Sequence, residues 1–246
     1  MGKHRVTLIS DTHTKHAQLT TTTSLRKADQ PVDLPGGDIL IHAGDFMSSG
    51  YNPMEAVMFF QWFDAIDNYD TKILIAGNHD RWMQDSEDEA CSLLKGYYKT
   101  IEYLQDEGMA LYNIDEDASI KLYGSPWQPE FHNWAFNLPR NGEEMQSRWN
   151  AIPEDTDILV THGPAFGHLD IPGGQSVRVG CEMLRHRIDT IRPKIHVCGH
   201  IHGSYGYHFD GHTHFFNASV LDERYKYAHA PFTFEWDNIT NKITWL

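Results

Sequence analysis

Seven side chains able to hold divalent metals stand where short apolar runs end. The run VTLIS stops at Asp11-Thr12-His13, and DILIHAG stops at Asp45. KILIA stops at Gly77-Asn78-His79-Asp80, DILV at Thr161-His162-Gly163, and IHVC at Gly199-His200-Ile201-His202. Imidazole nitrogens and carboxylate oxygens suit borderline divalent ions, and the absence of cysteine from the group argues against a soft-metal site. A single zinc takes about four ligands. The larger set of Asp11, His13, Asp45, Asn78, His162, His200 and His202 therefore points to two ions, with a carboxylate such as Asp45 able to bridge them. Two ions about 3.5–4 Å apart form a clamp for in-line displacement at phosphorus. Asp11 and His13 are two apart, so an extended segment would point both to one side.

A lone histidine is usually a surface or packed residue, and this chain has 16. Five apolar runs that end alike are what single these out. His4, His16, His132, His186, His208, His212, His214 and His229 carry no such signal. His42 and His196 lie inside apolar runs and read as structural.

The elements that must position the seven are strands. An apolar run without alternation reads as a strand of a parallel sheet, buried on both faces. In open α/β sheets the carboxyl edge of such strands is where ligands bind. Ile73–Ala76 and Ile195–Cys198 are read as two of them. Between the strands, Pro53–Asn68 is a helix candidate, with Asn52 to cap it and Pro53 at its first position. Its apolar residues Ala56, Val57, Phe59, Phe60, Phe63 and Ile66 share one buried face. Met83–Cys91 is acidic and weakly patterned, and Tyr97–Asp106 reads as a short helix. Met109–Tyr112 and Ile120–Gly124 read as strands around an acidic turn, Asp115–Asp117. Residues 125–140, SPWQPEFHNWAFNLPR, show neither helical nor strand period and form an ordered loop rich in aromatic faces. Gly142–Asn150 and Val179–Ile191 are helix candidates, the second ended by Pro193. The tail, with runs at Tyr205–Phe209, Thr213–Phe216, Phe232–Trp236 and Ile243–Leu246, reads as antiparallel strands with Asp-Gly turn chemistry. Residues 14–37 form a long polar connection with a Thr20–Thr23 run and a helical turn near Leu25. No internal repeat or linker divides the chain, so residues 1–246 are read as one domain.

Bulk properties set limits. The chain of 246 residues is 40% hydrophobic and 12% aromatic, a globular composition. Its formal net charge of −14 repels a phosphate backbone, so long nucleic acid is not expected as a partner. Cys91, Cys181 and Cys198 show no CxxC spacing, which fits a reducing compartment. Gly2 is followed by Val6 where a myristoylation signal wants Ser or Thr. No apolar run reaches membrane-spanning length. The expectation is a soluble cytoplasmic protein that binds no membrane; its oligomeric state is open.

The residues also carry a resemblance. Asp11-x-His13, Gly44-Asp45, Gly77-Asn78-His79-Asp80, His162-Gly163 and Gly199-His200-x-His202 resemble, in order and setting, the calcineurin-like metallophosphoesterase superfamily. SPWQPEFHNWAFNLPR, DILVTHGP and RPKIHVCGHIHGSYG look like the small metallophosphoesterase-domain family that includes the animal MPPED proteins. The resemblance implies an α/β fold, two mixed β-sheets packed face to face in a sandwich flanked by α-helices. It implies two divalent ions, manganese, iron or zinc, with manganese favoured. Asp11, His13 and His202 resemble the ligands of the first ion, and Asn78, His162 and His200 those of the second, with Asp45 as the bridge. Asn78 would also lie next to the phosphate. His79 resembles the general acid, with Asp80 beside it to orient the ring. Activated water then attacks phosphorus and His79 protonates the leaving alkoxide.

The substrate expected is a small phosphodiester or nucleotide, cyclic nucleotides foremost. Protein phosphatases of the superfamily carry Asp-Arg-Gly after the bridge, whereas FMSSGYNPM follows Asp45 here. Trp134 or Phe136 would stack a base and Arg140 would meet a phosphate. The alternatives are a phosphomonoesterase, or a nucleotide-binding or scaffold protein of the same fold with weak turnover. Some animal members have a glycine at the position of His200. This chain keeps the histidine, which favours an enzyme. His200 and His202 are matched to different ions, with Gly199 and Gly203 giving the loop freedom to turn between them.

Overall fold

The computed structural model describes residues 2–19, 34–112 and 119–246. The Thr20–Thr23 run, the turn expected near Leu25 and the acidic turn Asp115–Asp117 lie outside the described residues. In chain order the elements are β1 (Lys3–Ile9), β2 (Gly37–His42), α1 (Pro53–Asp64), β3 (Tyr69–Leu74), α2 (Arg81–Asp85), α3 (Glu87–Tyr97), β4 (Ile101–Tyr103), β5 (Glu107–Tyr112) and β6 (Ser119–Ser125). There follow β7 (Gln128–Pro129), β8 (Asn137–Leu138), α4 (Glu143–Asn150), β9 (Ile158–Thr161), α5 (Glu182–Ile191), β10 (Ile195–Cys198), β11 (Gly206–Phe209), β12 (His214–Asn217), β13 (Phe232–Asp237) and β14 (Lys242–Trp245).

Two mixed sheets of six strands result, as expected. One runs β14-β13-β1-β2-β3-β4, the other β11-β12-β10-β9-β6-β5. The strands that lead to the polar residues, β1-β2-β3 and β9-β10, are mutually parallel within their sheets. Register explains why these runs show no alternation. Val6, Leu8, Ile39, Ile41 and Ile73 face Ile158, Val160, Ile195 and Val197 of the other sheet. Their neighbours Ile9, Leu40, Leu74 and Leu159 face the helices instead. Both faces are dry, so most positions are apolar, and the polar exceptions Thr7, His42, Lys72 and His196 are themselves buried. Each such Val, Leu, Ile or Phe contributes about 1.5–3 kcal/mol by burial.

Helix α1 lays Ala56, Phe59, Phe60 and Phe63 on the first sheet, with Phe59 stacked on Phe46 at 4.6 Å and on Phe63 at 5.3 Å. Asn52 Oδ1 accepts from Met54 N, the expected cap. The helix ends at Asp64 rather than Asn68, because buried Lys72 donates to the carbonyls of Phe63, Asp64 and Ile66. On the other sheet Met145 and Trp149 of α4 and Leu184 and Ile188 of α5 cover the outer face. The helix expected over Val179–Ile191 begins only at Glu182, since Arg140 takes the carbonyls of Val179 and Gly180.

One stretch without an assigned element gains one, and one local expectation is corrected. Met83–Cys91 is helical, in α2 and α3. Its acidic residues Glu87, Asp88 and Glu89 fill the first turn of α3, where the helix dipole favours negative charge. Tyr97–Asp106 is not a helix, since only Tyr97, the last residue of α3, is helical. Ile101–Tyr103 forms β4, paired with β3 as a sheet edge, so long-range pairing overrides the local pattern. Residues 125–140 are an ordered loop pinned by the short β7–β8 pair.

Candidate metal centre

The carboxyl ends of β1, β2 and β3 meet those of β9 and β10, and the seven residues converge there. The segments after the strands are not extended. Asp11, His13, Asp45 and His200 have φ of 56°, 39°, 59° and 66°, in the left-handed region. Non-glycine residues there are disfavoured by about 1–2 kcal/mol each, and such strain collects at functional sites. Backbone bonds between the β1 and β2 loops hold the shape: Asp11 N to Gly44 O at 2.9 Å and His13 N to Asp45 O at 3.0 Å. Asp11 and His13 therefore reach one centre through a turn, not through strand geometry. Likewise, the bend between His200 and His202 falls on His200 itself. Gly199 serves close approach, since a Cβ there would lie 2.1 Å from both Asp11 Oδ2 and Ser10 Oγ.

The donors fall into two sets that share a carboxylate. Asp11 Oδ1 is 3.3 Å from His202 Nε2, which is 3.3 Å from His13 Nε2. Asn78 Oδ1 is 3.0 Å from His162 Nε2 and 2.7 Å from His200 Nδ1. Asp45 stands between, with Oδ1 3.3 Å from His162 Nε2 and Oδ2 3.7 Å from His13 Nε2. The ligand atoms of Asp11, His13 and His202 lie within 4.8 Å of one another, as do those of Asp45, His162 and His200.

Outer contacts aim the rings. His13 Nδ1 meets Met47 O at 3.1 Å, His162 Nδ1 meets Ala43 O at 2.9 Å, and His202 Nδ1 meets Asp222 O at 2.9 Å. A carbonyl only accepts, so in the neutral ring Nδ1 carries the proton and Nε2 turns its lone pair inward. Asp11 accepts from Ser219 Oγ at 2.8 Å and from His200 N at 3.1 Å.

Charge also fits a cation. Asp11 and Asp45 are buried carboxylates, and a buried charge without a counter-charge is strongly unfavourable. Burial pushes both towards the neutral form, but the facing histidines outweigh it and hold both below the usual carboxylate range. Burial likewise opposes charge on His162 and His202. The Asp45 carboxylate against His162, and the hydrogen bond and charge of Asp11 against His202, still raise each to about 9. Burial dominates at His13, pushed down to about 4, and at His200, pushed down to about 3. Oxygen and imidazole donors around two buried negative charges are the chemistry of divalent-metal sites. These residues fit the expected ions.

The remaining candidates part company. His79 N donates to Asp45 Oδ1 at 2.7 Å, and its ring stacks on Trp134 at 4.1 Å between centroids. Its Nδ1 meets the Ser48 carbonyl at 2.6 Å. Asp80 does not orient this ring. Its carboxylate accepts from the amides of Asp45, Met47 and Gly77 at 2.7–2.8 Å, which fixes the loops that carry the ligands. Burial and the Asp45 charge push the Asp80 carboxyl well above its usual range, against those amides. Phe136 is fully buried against Trp127 and packs the loop rather than facing a ligand. Trp134 and Arg140 do line the cavity of about 510 Å³ that opens from the centre. The Arg140 guanidinium, however, is already bound to Val179 O, Gly180 O and Glu182. Structural roles for His42 and His196 agree with their bonds to Thr12 Oγ1 and Thr161 Oγ1.

Ser219 and Tyr225 are part of this site and carry no role in the sequence reading. Ser219 had a signal: HFFN, the β12 strand, is one more apolar run ending in a polar cluster, Asn217-Ala218-Ser219. Tyr225, on an irregular turn, had none.

Similarity to known proteins places the chain. The calcineurin-like phosphoesterase family model matches residues 4–204. Metallophosphoesterase domain-containing protein 1 of Homo sapiens is 37% identical, over 94% of this chain and 70% of that protein. Among solved structures, TT1561 of Thermus thermophilus superposes with a TM-score of 0.61 at 14% identity, over 98% of this chain and 97% of its own. Phosphopantetheinyl hydrolase (PptH) of Mycobacterium tuberculosis superposes at 0.54 and 16% identity, over 92% of each chain. At those identities the two structures show the fold alone. The family match and the human relative carry the assignment further: this chain belongs to the calcineurin-like phosphoesterase family, whose chemistry is metal-dependent hydrolysis of phosphoesters.

Proposed function

We propose that this protein is a cytoplasmic phosphodiesterase acting on small phosphodiesters, cyclic nucleotides foremost, with a pair of divalent ions, manganese first among manganese, iron and zinc. The observation that supports it most is Asp45, whose two carboxylate oxygens address different histidines, Oδ1 facing His162 and Oδ2 facing His13. Asp11, His13 and His202 would hold one ion with it, and Asn78, His162 and His200 the other. When bound, such a pair supplies Lewis acidity at the phosphoryl oxygens and an activated water nucleophile.

The chain's own groups do the rest. Asn78 turns its Oδ1 to His162 and His200, which leaves its Nδ2 to donate to a phosphate oxygen. His79 gives its Nδ1 proton to Ser48 O, so a proton on Nε2 is the one it can pass to a leaving alkoxide. Trp134 stacks on His79 and lines the cavity, an apolar wall suited to a nucleobase. The acidic chain, at −14, disfavours long polyanions as substrates.

The test is the bridge. Asp45→Ala should lose most bound metal and most hydrolysis of bis(p-nitrophenyl) phosphate, while its circular dichroism stays that of the wild type. Two equivalents of manganese retained in the variant, by elemental analysis, would overturn the assignment.

A further inference from the structure

Tyr225 sits over the metal centre and contributes to neither set of donors. Its ring meets His13 edge-on at 4.8 Å, His202 at 5.4 Å and His79 at 6.3 Å between centroids. It lines the same cavity as Asp45, Asn78, His79, His200 and His202. The residue is nonetheless 42% exposed.

Its backbone is built to present it. Tyr225 has φ 56°, which a non-glycine residue adopts only when its surroundings impose it. Tyr225 N donates to Asp222 O at 2.8 Å, and Asp222 Oδ1 accepts from Arg224 N and Lys226 N at 2.9 Å. Lys15 Nζ donates to Tyr225 O. The Asp222 carbonyl also aims His202, so one turn both orients a ligand and carries this phenol.

A phosphate needs donors besides the ions. Arg140 is the one Lys or Arg among the described residues lining the cavity, and it is bound to Val179 O, Gly180 O and Glu182. Gln128 Nε2 is bound to Asn137 Oδ1. The Tyr225 hydroxyl has no hydrogen-bond partner among the described residues. We propose that Tyr225 is a phosphate-binding residue, its hydroxyl donating to a non-bridging oxygen of the phosphate ester held at the metal centre. The proposal rests on the functional reading above, and it adds the donor that the engaged Arg140 does not provide.

The experiment is calorimetric binding of inorganic phosphate to the manganese-loaded wild type and to Tyr225→Phe, with metal content measured on both. A hydrogen bond to a charged group makes the expected loss of phosphate affinity about 10–100-fold. Manganese content should be unchanged, because Tyr225→Phe keeps the ring and the turn. Affinities within about twofold of each other would overturn the proposal, as would a wild type that binds no phosphate. A variant that loses an ion would overturn it too, since the phenol would then act through His202. Turnover of bis(p-nitrophenyl) phosphate, read in parallel, keeps the two readings apart. A wild type that binds phosphate through Tyr225 without turnover would sink the phosphodiesterase and leave the phosphate site standing.

Discussion

His79 and Asp80 are neighbours in sequence, and their contacts give them different work. Asp80 has both oxygens on backbone amides and no bond to the His79 ring. His79 is aimed instead by a carbonyl, Ser48 O, and by the face of Trp134. Neither partner could be read from Gly77-Asn78-His79-Asp80, because both arrive from distant loops. The candidate ligands and their grouping were legible, since each closes an apolar run. A general acid matters only when the leaving group is basic. His79→Ala should therefore slow hydrolysis of an alkyl or ribose ester by about 10²–10⁴-fold. On a p-nitrophenyl ester, whose leaving group needs no proton, the loss should be far smaller. Equal losses on the two substrates would mean that His79 holds the phosphate rather than protonating the alkoxide.

The strand ends are where sequence and geometry agree best. A strand buried on both faces is apolar at most positions, so a cluster of polar residues marks its carboxyl end. That is why β1, β2, β3, β9 and β10 could be found, and with them the candidate ligands. Short elements were less legible. Ile101–Tyr103 is a strand only because β3 is beside it, and α3 hides behind acidic residues that suit its first turn. Tyr225 stands on a turn with no periodic signal at all. The glycines at the strand ends can be tested. A Cβ on Gly77 would lie 2.4 Å from Asp45 Oδ1 and 2.6 Å from His162 Cε1. Gly77→Ala should displace Asp45, the proposed bridge, and a misplacement of about 1 Å costs roughly 10²-fold in turnover. Manganese affinity should fall with it while circular dichroism is unchanged. Full affinity and full turnover would show that the bridge tolerates the shift.

Taken whole, the molecule buries titratable groups in its sandwich as well as at its edge. No helix among the described residues is long and apolar enough to cross a membrane. His196 lies within β10, 1% exposed, with Nε2 on Thr161 Oγ1. Burial, with a smaller push from His168, holds it down at about 3. A base whose folded pKa is depressed below an unfolded value of about 6.5 adds stability that is full above that value. It is lost as pH falls from about 6.5 towards 3, where only the unfolded chain takes up the proton. Between pH 7 and 5 this one group should remove about 2 kcal/mol. Chemical denaturation of metal-free wild type and His196→Gln at both pH values checks it. The variant should lose that much less on acidification, and equal losses would contradict it. Hydrolysis as proposed needs two ions in one bridged centre, and manganese titration of chelator-treated wild type tests that need. Hydrolysis of bis(p-nitrophenyl) phosphate should be absent without metal, rise with added manganese and saturate at two equivalents per chain. Saturation at one equivalent, or turnover that persists in chelator, would contradict the account.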